Sequence, residues 1–521
     1  MERDKSEQPD PGRRSFLATA SLLAAGAALP GQTVFAGTGK APNEIVTADA
    51  LQLSDWIRRR HVSCVEVMGA YLDHIAQINP KVNAIVSLRD RDDVLKEAKE
   101  RDLMLERGQY MGWLHGIPQA PKDLAATVGI ATTMGSPIFR NYVPKNDAIV
   151  VERARKAGAI LIGKTNTPEF GMGSVTYNPV FGTTLNAYDQ RRNAGGSSGG
   201  AAVALATRML PVADGSDMMG SLRNPAGYNN IFGFRPSQGR VPAGPAGEVF
   251  FQQLGYEGPM ARTVTDLALL LSVQAGFDPR APLSIKEDPS AFARPLKRDF
   301  KGTRIAWMGD YRGYLPMERG VLDLCQTAMK DFGAVGCIVE EAVPNFSMEL
   351  LWQTWLTLRH FTMAGIGGGL YADPAKRALM KPEALWETEG GLSLKGEQVW
   401  QASVQRSAWY AALLAMFEKY DYLALPSAQV FPFDASLHWA KEIAGRTMDT
   451  YHRWMEVVIG ATLAGLPVIS VPAGFNQDGL PMGIQIIGKP QADLDVLQLA
   501  FAYEQATQWV SKRKPSLILA A

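Results

Sequence analysis

Between residues 47 and 108, apolar side chains recur every three or four positions, the period of an amphipathic helix. The run LSDWIRRRHVSCVEVMGAYLDHIAQI predicts one helix, ended by Pro80. DRDDVLKEAKERDLMLERG predicts a second, with Gly108 just past its end. The period then changes. GIPQAPK reads as a short strand, and AIVVERARKAGAILIGKTN as a helix, a glycine turn and an apolar strand over 159–163. GAAVALATRM predicts a helix of small residues emerging from a Gly-Ser loop. After a polar, Pro-containing connection over 279–300, TRIAWMGD is a strand and VLDLCQTAMKDFGAVGCIVEEAV a helix, turn and strand. Residues 346–441 carry aromatic-rich helices interrupted at Gly367-Gly368-Gly369 and Gly390-Gly391. YDYLALPSAQVFPFD is a strand running into a Pro-rich loop. LPVISVPAGFNQDGLPMGIQIIG is a hairpin turning at Asp478-Gly479, and DLDVLQLAFAYEQAT is the last helix. The alternation predicts an α/β protein: a large mixed β-sheet core flanked by helices on both faces, with an N-terminal helical layer and an inserted or appended cap.

Composition narrows the function classes. At 521 residues, 46% hydrophobic and 20% charged, the chain can bury a large core. Lys+Arg 53 against Asp+Glu 52 leaves a net charge of +1, with no electrostatic footprint for nucleic acid. Cys64, Cys325 and Cys337 are too few and too scattered for a disulfide framework or a thiolate metal site. Cys325 and Cys337 can bridge in an oxidising compartment; the plainer reading is buried free thiols. No CxxC, HExxH or HxH occurs, so no metal and no cofactor is expected.

The N-terminus reads as an address. GRRSFLATASLLAAGAALPGQTVFAG places Arg13-Arg14 before Phe16-Leu17, then an apolar run broken by Gly26 and Pro30. Val34-Phe35-Ala36 ahead of Gly37 suits a cleavage site. The segment resembles the twin-arginine signal of bacteria, and its apolar run is too short to anchor stably in a bilayer. Residues 1–36 are therefore expected to be removed and the protein exported, periplasmic or secreted, leaving 37–521 as one domain.

The chemistry concentrates in NAGGSSGGAAVALATRMLPVADGSDMMGSLRNPAG, which carries Ser197, Ser198, Ser216 and Ser221. A Ser-His-Asp arrangement needs a histidine within reach, and His61, His74, His115, His360, His438 and His452 stand in no recognisable triad context. GSSGG does match the nucleophile-elbow pattern with Ser198 at its centre, although no strong apolar strand precedes it. An SxxK pattern occurs only as SKRK in a basic tail. The third scheme uses Lys122, at the end of GIPQAPK, where loss of water would lower the amine's pKa and leave it a base. Alternatively Lys122 is structural and paired with Asp123.

GIPQAPKDL, GGSSGG and GSDMMGSLRNPA, in that order, strongly resemble the amidase signature family, whose catalytic set is Ser-cisSer-Lys. AGAILIGKTNTPEFGMGSVTYNPVFGTTLNAYD, FGFRPSQGRVP and the C-terminal hairpin extend the resemblance over most of the chain. It implies that Ser221 is the nucleophile, Ser197 the serine after a cis peptide bond, and Lys122 the base. It implies main-chain oxyanion donors over Met218, Met219 and Gly220, with Ser198, Asp217 and Arg223 supporting the network and the loop. Met219 stands where the family usually has glycine, and Met218 where a smaller residue is common. Gly171 and Met172 resemble the pocket wall beside the lysine.

The implied activity is hydrolysis of a carboxylic amide to an acid plus ammonia or amine, with ester cleavage as a side activity. Residues 346–441 would shape the substrate pocket, with Trp352, Trp355, Tyr371, Trp386 and Trp400 as aromatic candidates, most of them core. Aliphatic, aryl and peptide amides all remain open. The expected partner is a small-molecule or peptide amide, with no nucleic acid and no stable membrane anchor, in a monomer or homodimer. The export signal argues against the family's cytoplasmic role in aminoacyl-tRNA transamidation. Two readings from another class stay open: an anion-binding protein using the Gly-rich loop, and an inactive amidase-like scaffold.

Overall fold

Two apolar runs near the C-terminus lie at the centre of the molecule. Val468–Phe475 and Pro481–Gly488 pair antiparallel, with Ile469 opposite Ile486 and Val471 opposite Ile484. Successive side chains of a strand point to opposite faces. Nearly every residue of both strands is buried, so both faces of this hairpin are covered. Asn476 Oδ1 accepts the N–H groups of Asp478 and Leu480 and closes the predicted turn. The structure is a computed structural model that describes residues 40–519. The expected export segment, 1–36, lies outside the described residues.

In chain order the strands of the main sheet are β1 (Val212–Asp217), β2 (Phe232–Arg235), β3 (Tyr256–Ala261), β4 (Arg304–Trp307), β5 (Ile338–Glu341), β6 (Tyr422–Pro426), β7 (Val468–Phe475) and β8 (Pro481–Gly488). They lie side by side as β5-β4-β6-β8-β7-β2-β3-β1. β4 runs parallel to β5 and β6, and every other pairing is antiparallel. The sheet is thus large and mixed, as the alternating pattern predicts.

The helices depart from the prediction in instructive places. The single N-terminal helix is two, α1 (Ala50–Arg58) and α2 (Cys64–Ile78). Arg60 turns to a φ of 59°, and Ser63 restarts the helix through a capping box with Glu66. That S-x-x-E signal was present in the sequence and outweighs the continuous apolar period. α3 (Arg91–Glu106) and α4 (Ile149–Lys156) follow as expected. The strands after Gly116 and Gly158 are shorter than expected, Pro118–Gln119 and Ile160–Leu161, and pair with each other outside the main sheet.

Next come α5 (Gly199–Ala206), buried along its whole length, α6 (Arg223–Tyr228), α7 (Val264–Gln274) and α8 (Val321–Ala334). The glycine runs of the 346–441 segment do not interrupt helices. α9 (Met348–Ala372) runs straight through Gly367-Gly368-Gly369, and Gly390-Gly391 lie inside α10 (Pro382–Leu392). A Cβ on Gly391 would sit 2.1 Å from the His360 carbonyl oxygen, and one on Gly367 would sit 2.7 Å from Thr388 Oγ1. Glycine here lets α9 and α10 touch. α11 (Gly396–Phe417) completes a helical layer, after which the segment re-enters the sheet as β6. α12 (Asp493–Thr507) is followed by one further short turn of helix, Trp509–Lys512. Cys64, Cys325 and Cys337 are buried free thiols. Among the described residues no helix is long and apolar enough to cross a membrane.

Candidate active site

Three chain segments meet at the end of the edge strand β1. Lys122 follows the Pro118–Gln119 strand, bridges to Thr165, and donates its backbone N–H to Asp214 Oδ2 of β1 at 3.1 Å. Ser197 and Ser198 precede α5, and the Gly196–Ser197 peptide bond is cis. β1 ends in Ser216 and Asp217, and the turn over 218–221 leads into α6. Close approach requires a glycine at 215, where a Cβ would lie 2.7 Å from Ser198 Oγ.

Lys122 Nζ lies 2.7 Å from Ser197 Oγ, 2.9 Å from Ser198 Oγ and 3.0 Å from Ser216 Oγ. An ammonium has three N–H donors and can serve all three hydroxyls. A neutral amine has two, plus a lone pair, so one hydroxyl must then donate to it. Lys122 is 1% exposed, and burial pulls its pKa down to about 7 against the opposing pull of Glu257, Asp217 and Asp214. Burial likewise pushes Glu257 up to about 8, with Asp214 adding to the effect. The alternative pairing with Asp123 does not form: Asp123 accepts from Thr133 and Gly135 instead. Ser216, given no role at the sequence level, is a third acceptor for the lysine.

Ser221 is 6% exposed and lines the same cavity as Ser197. Its carbonyl accepts the Ser198 N–H at 3.2 Å. Asp217 and Arg223, both wholly buried, form a two-pronged ion pair at 2.9 and 2.8 Å. Burial raises the Asp217 pKa, but Arg223 and Arg235 outweigh it and hold the carboxyl well below its usual range. Arg223 also donates to the Val458 carbonyl, Gln485 Oε1 and Thr462 Oγ1, which ties the turn to the sheet.

One expectation about the turn changes. Gly220 donates its N–H to Asp217 Oδ1 at 2.9 Å, so it is not a free oxyanion donor. Its contribution is conformational: it takes a φ of +78°, which Met218 and Met219 avoid. Among the described residues the N–H groups of Met218, Met219 and Ser221 have no acceptor. Gly171 and Met172 stand in the cavity wall, Met172 with its carbonyl accepting from Lys381 Nζ at 2.7 Å. No histidine hydrogen-bonds Ser197, Ser198 or Ser221 among the described residues, so the elbow reading finds no base.

The cavity measures about 220 Å³. Part of its wall was not anticipated: Gln252, Tyr256 and Glu257 from the β3 region, Arg359 from α9, and His452. Arg359 Nη2 donates to Tyr451 Oη at 2.7 Å, its Nε pairs with Glu387, and its Nη1 lies 3.3 Å from Met218 Sδ. Burial opposes charge on both members of the Arg359–Glu387 pair, but their mutual attraction wins, raising the arginine pKa and lowering that of the glutamate. His452 has no partner on either ring nitrogen, and burial pulls it down to about 3, so it is neutral. No local motif announces these residues, because they converge from separate elements. The aromatic candidates of the 346–441 segment do not line the cavity: Trp352 and Trp355 are core, Tyr371 donates to Glu389, and Trp386 and Trp400 are exposed.

A family model described as Amidase matches residues 66–497. A glutamyl-tRNA(Gln) amidotransferase subunit of Thermosynechococcus vestitus is 34% identical over 486 residues, covering 88% of this chain and 98% of that protein. An acylamidase of Rhodococcus erythropolis is 31% identical over 476 residues, covering 91% of this chain and 98% of that protein. Among solved structures, a bacterial aryl acylamidase matches with a TM-score of 0.82 and 29% identity, covering 89% of this chain and 98% of that one.

Proposed function

Because the chain belongs to the amidase signature family, we propose that it hydrolyses a carboxylic amide through an acyl-enzyme on Ser221. One observation carries this reading: a buried lysine with a pKa near 7 lies 2.7 Å from Ser197 Oγ, in a cavity that Ser197 shares with Ser221. Neutral Lys122 takes the Ser197 proton as Ser197 takes that of Ser221. Ser221 Oγ then bonds to the amide carbon. The carbonyl electrons move onto oxygen, where the N–H groups of Met218, Met219 and Ser221 receive the charge. Collapse of this adduct breaks the C–N bond, and the lysine's proton passes back through Ser197 to the leaving nitrogen. Water attacks the acyl-Ser221 ester by the same relay, releasing the acid and restoring Ser221.

The test is turnover of aliphatic, aryl and peptide amides by the chain, with Ser221→Ala, Lys122→Ala and fluorophosphonate labelling in parallel. Loss of both turnover and labelling in Ser221→Ala is expected. Labelling that persists there and disappears in Ser198→Ala would sink the assignment.

Relatives at 34% identity are amidotransferase subunits, which favours a second reading as one component of a larger assembly. Ammonia release from glutamine, with no turnover of other amides, would select it. We also propose export after removal of residues 1–36, on the strength of the paired arginines. The N-terminal sequence of the protein recovered outside the cytoplasm should begin at Gly37; recovery of the intact chain from the cytoplasm alone would refute export.

A further inference from the structure

A second, larger cavity of about 790 Å³ adjoins the one that holds Ser221. Ala243, Gln252, Tyr256 and Ile366 belong to the walls of both, so the two chambers lie side by side. The larger wall is apolar, built by Val241, Leu283, Phe361, Leu394 and Val399. Its charged residues offer little to a ligand. The Glu248 carboxylate accepts the N–H groups of Phe250, Phe251 and Gln252 in its own loop, and Lys395 is exposed to solvent. Phe251, 75% exposed, packs edge-on against Phe361 with ring centroids 6.0 Å apart.

We infer that this chamber receives a bulky apolar alkyl or aryl substituent of the substrate, while the scissile amide sits in the smaller cavity beside Ser221. The inference rests on the amidase reading of that serine. The smaller cavity has room for the amide and its nearest neighbours. The larger has the volume of a pocket for a drug-sized ligand. A charged or strongly polar substituent would lose water there without gaining partners. An apolar one gains about three- to fourfold in binding per buried methylene.

The experiment compares kcat/KM of the full chain along a series of linear N-acyl and N-alkyl amides of growing length, and along an aryl series of growing size. A rise of about three- to fourfold per added methylene, or a comparable rise with ring size, is expected until the chamber is full. Gly365 lies in α9 in this wall, and a Cβ there meets no atom within 4 Å. Gly365→Phe therefore adds a ring to this wall without a clash, narrows the chamber and should lower the preference for large over small amides at least tenfold. Gly247→Phe, from the facing loop and equally open, repeats the test independently. Gly369→Phe, on the same helix but lining neither chamber, should leave that preference unchanged. A flat size dependence, or a preference untouched by both narrowing variants while small amides are still hydrolysed, overturns the inference. Absence of turnover on every amide, with no labelling of Ser221, overturns the amidase reading and this inference together.

Discussion

Lys122 Nζ and Ser197 Oγ lie 2.7 Å apart in a site from which water is nearly excluded, with Lys122 only 1% exposed. Because burial brings the lysine pKa to about 7, the unprotonated base accumulates as pH rises through that value. On a small amide, kcat/KM should climb tenfold per pH unit below about 7 and level off above it. Burial raises Glu257 to about 8, so it is largely uncharged where this limb lies, and Glu257→Gln should leave the limb close to its place. A limb centred near the ordinary lysine value would contradict the role given to Lys122. Lys122→Ala should cost about 10²- to 10⁴-fold.

The serines should rank by their place in the relay. Ser221→Ala is expected to lose fluorophosphonate labelling altogether, and Ser197→Ala to lose most of the turnover. Ser198→Ala and Ser216→Ala each leave Lys122 two other hydroxyl partners and should retain at least tenfold more activity than Ser197→Ala. Steady-state rates of the four variants check the order.

Asp217 and Arg223 neutralise each other where neither touches solvent. Asp217→Asn removes the charge that balances Arg223 and weakens the acceptor for the Gly220 and Leu222 N–H groups. Urea denaturation should show a loss of about 3–5 kcal/mol. The folded fraction should also turn over more slowly, because the donor-bearing turn is no longer held.

At Gly220 the backbone needs a φ of +78°, and a Cβ would lie 2.9 Å from Val458 Cγ2. Gly220→Ala should therefore cost about 1–2 kcal/mol for the left-handed backbone alone. kcat should fall further than KM changes, since the displaced N–H groups act on charge that develops only in the transition state.

Arg359 and Glu387 pose the same electrostatic problem between α9 and α10. Arg359→Met should cost about 3–5 kcal/mol by stranding a buried carboxylate. Adding Glu387→Gln should recover much of that loss, and a thermal-denaturation double-mutant cycle measures the recovery.

The sequence by itself determined what depends on neighbours in the chain. It determined the α/β class, the C-terminal hairpin and its Asp478-Gly479 turn, and the three ordered motifs bearing Lys122, Ser197 and Ser221. Local hydrogen bonds and periodic burial write such features into contiguous residues. Where the reading failed, a local cue met a competing one. The Ser63–Glu66 capping box divided a continuous helical period, and Gly390-Gly391 stayed helical because α9 packs too closely for any side chain. Only the tertiary structure decided what depends on residues distant in sequence. Lys122 gathers hydroxyls from positions 197, 198 and 216, and its pKa follows from the water that the surrounding fold removes. Arg359, Gln252 and His452 reach one cavity from three separate segments. Their convergence, and the apolar chamber beyond them, exist only once the helices have packed on the sheet.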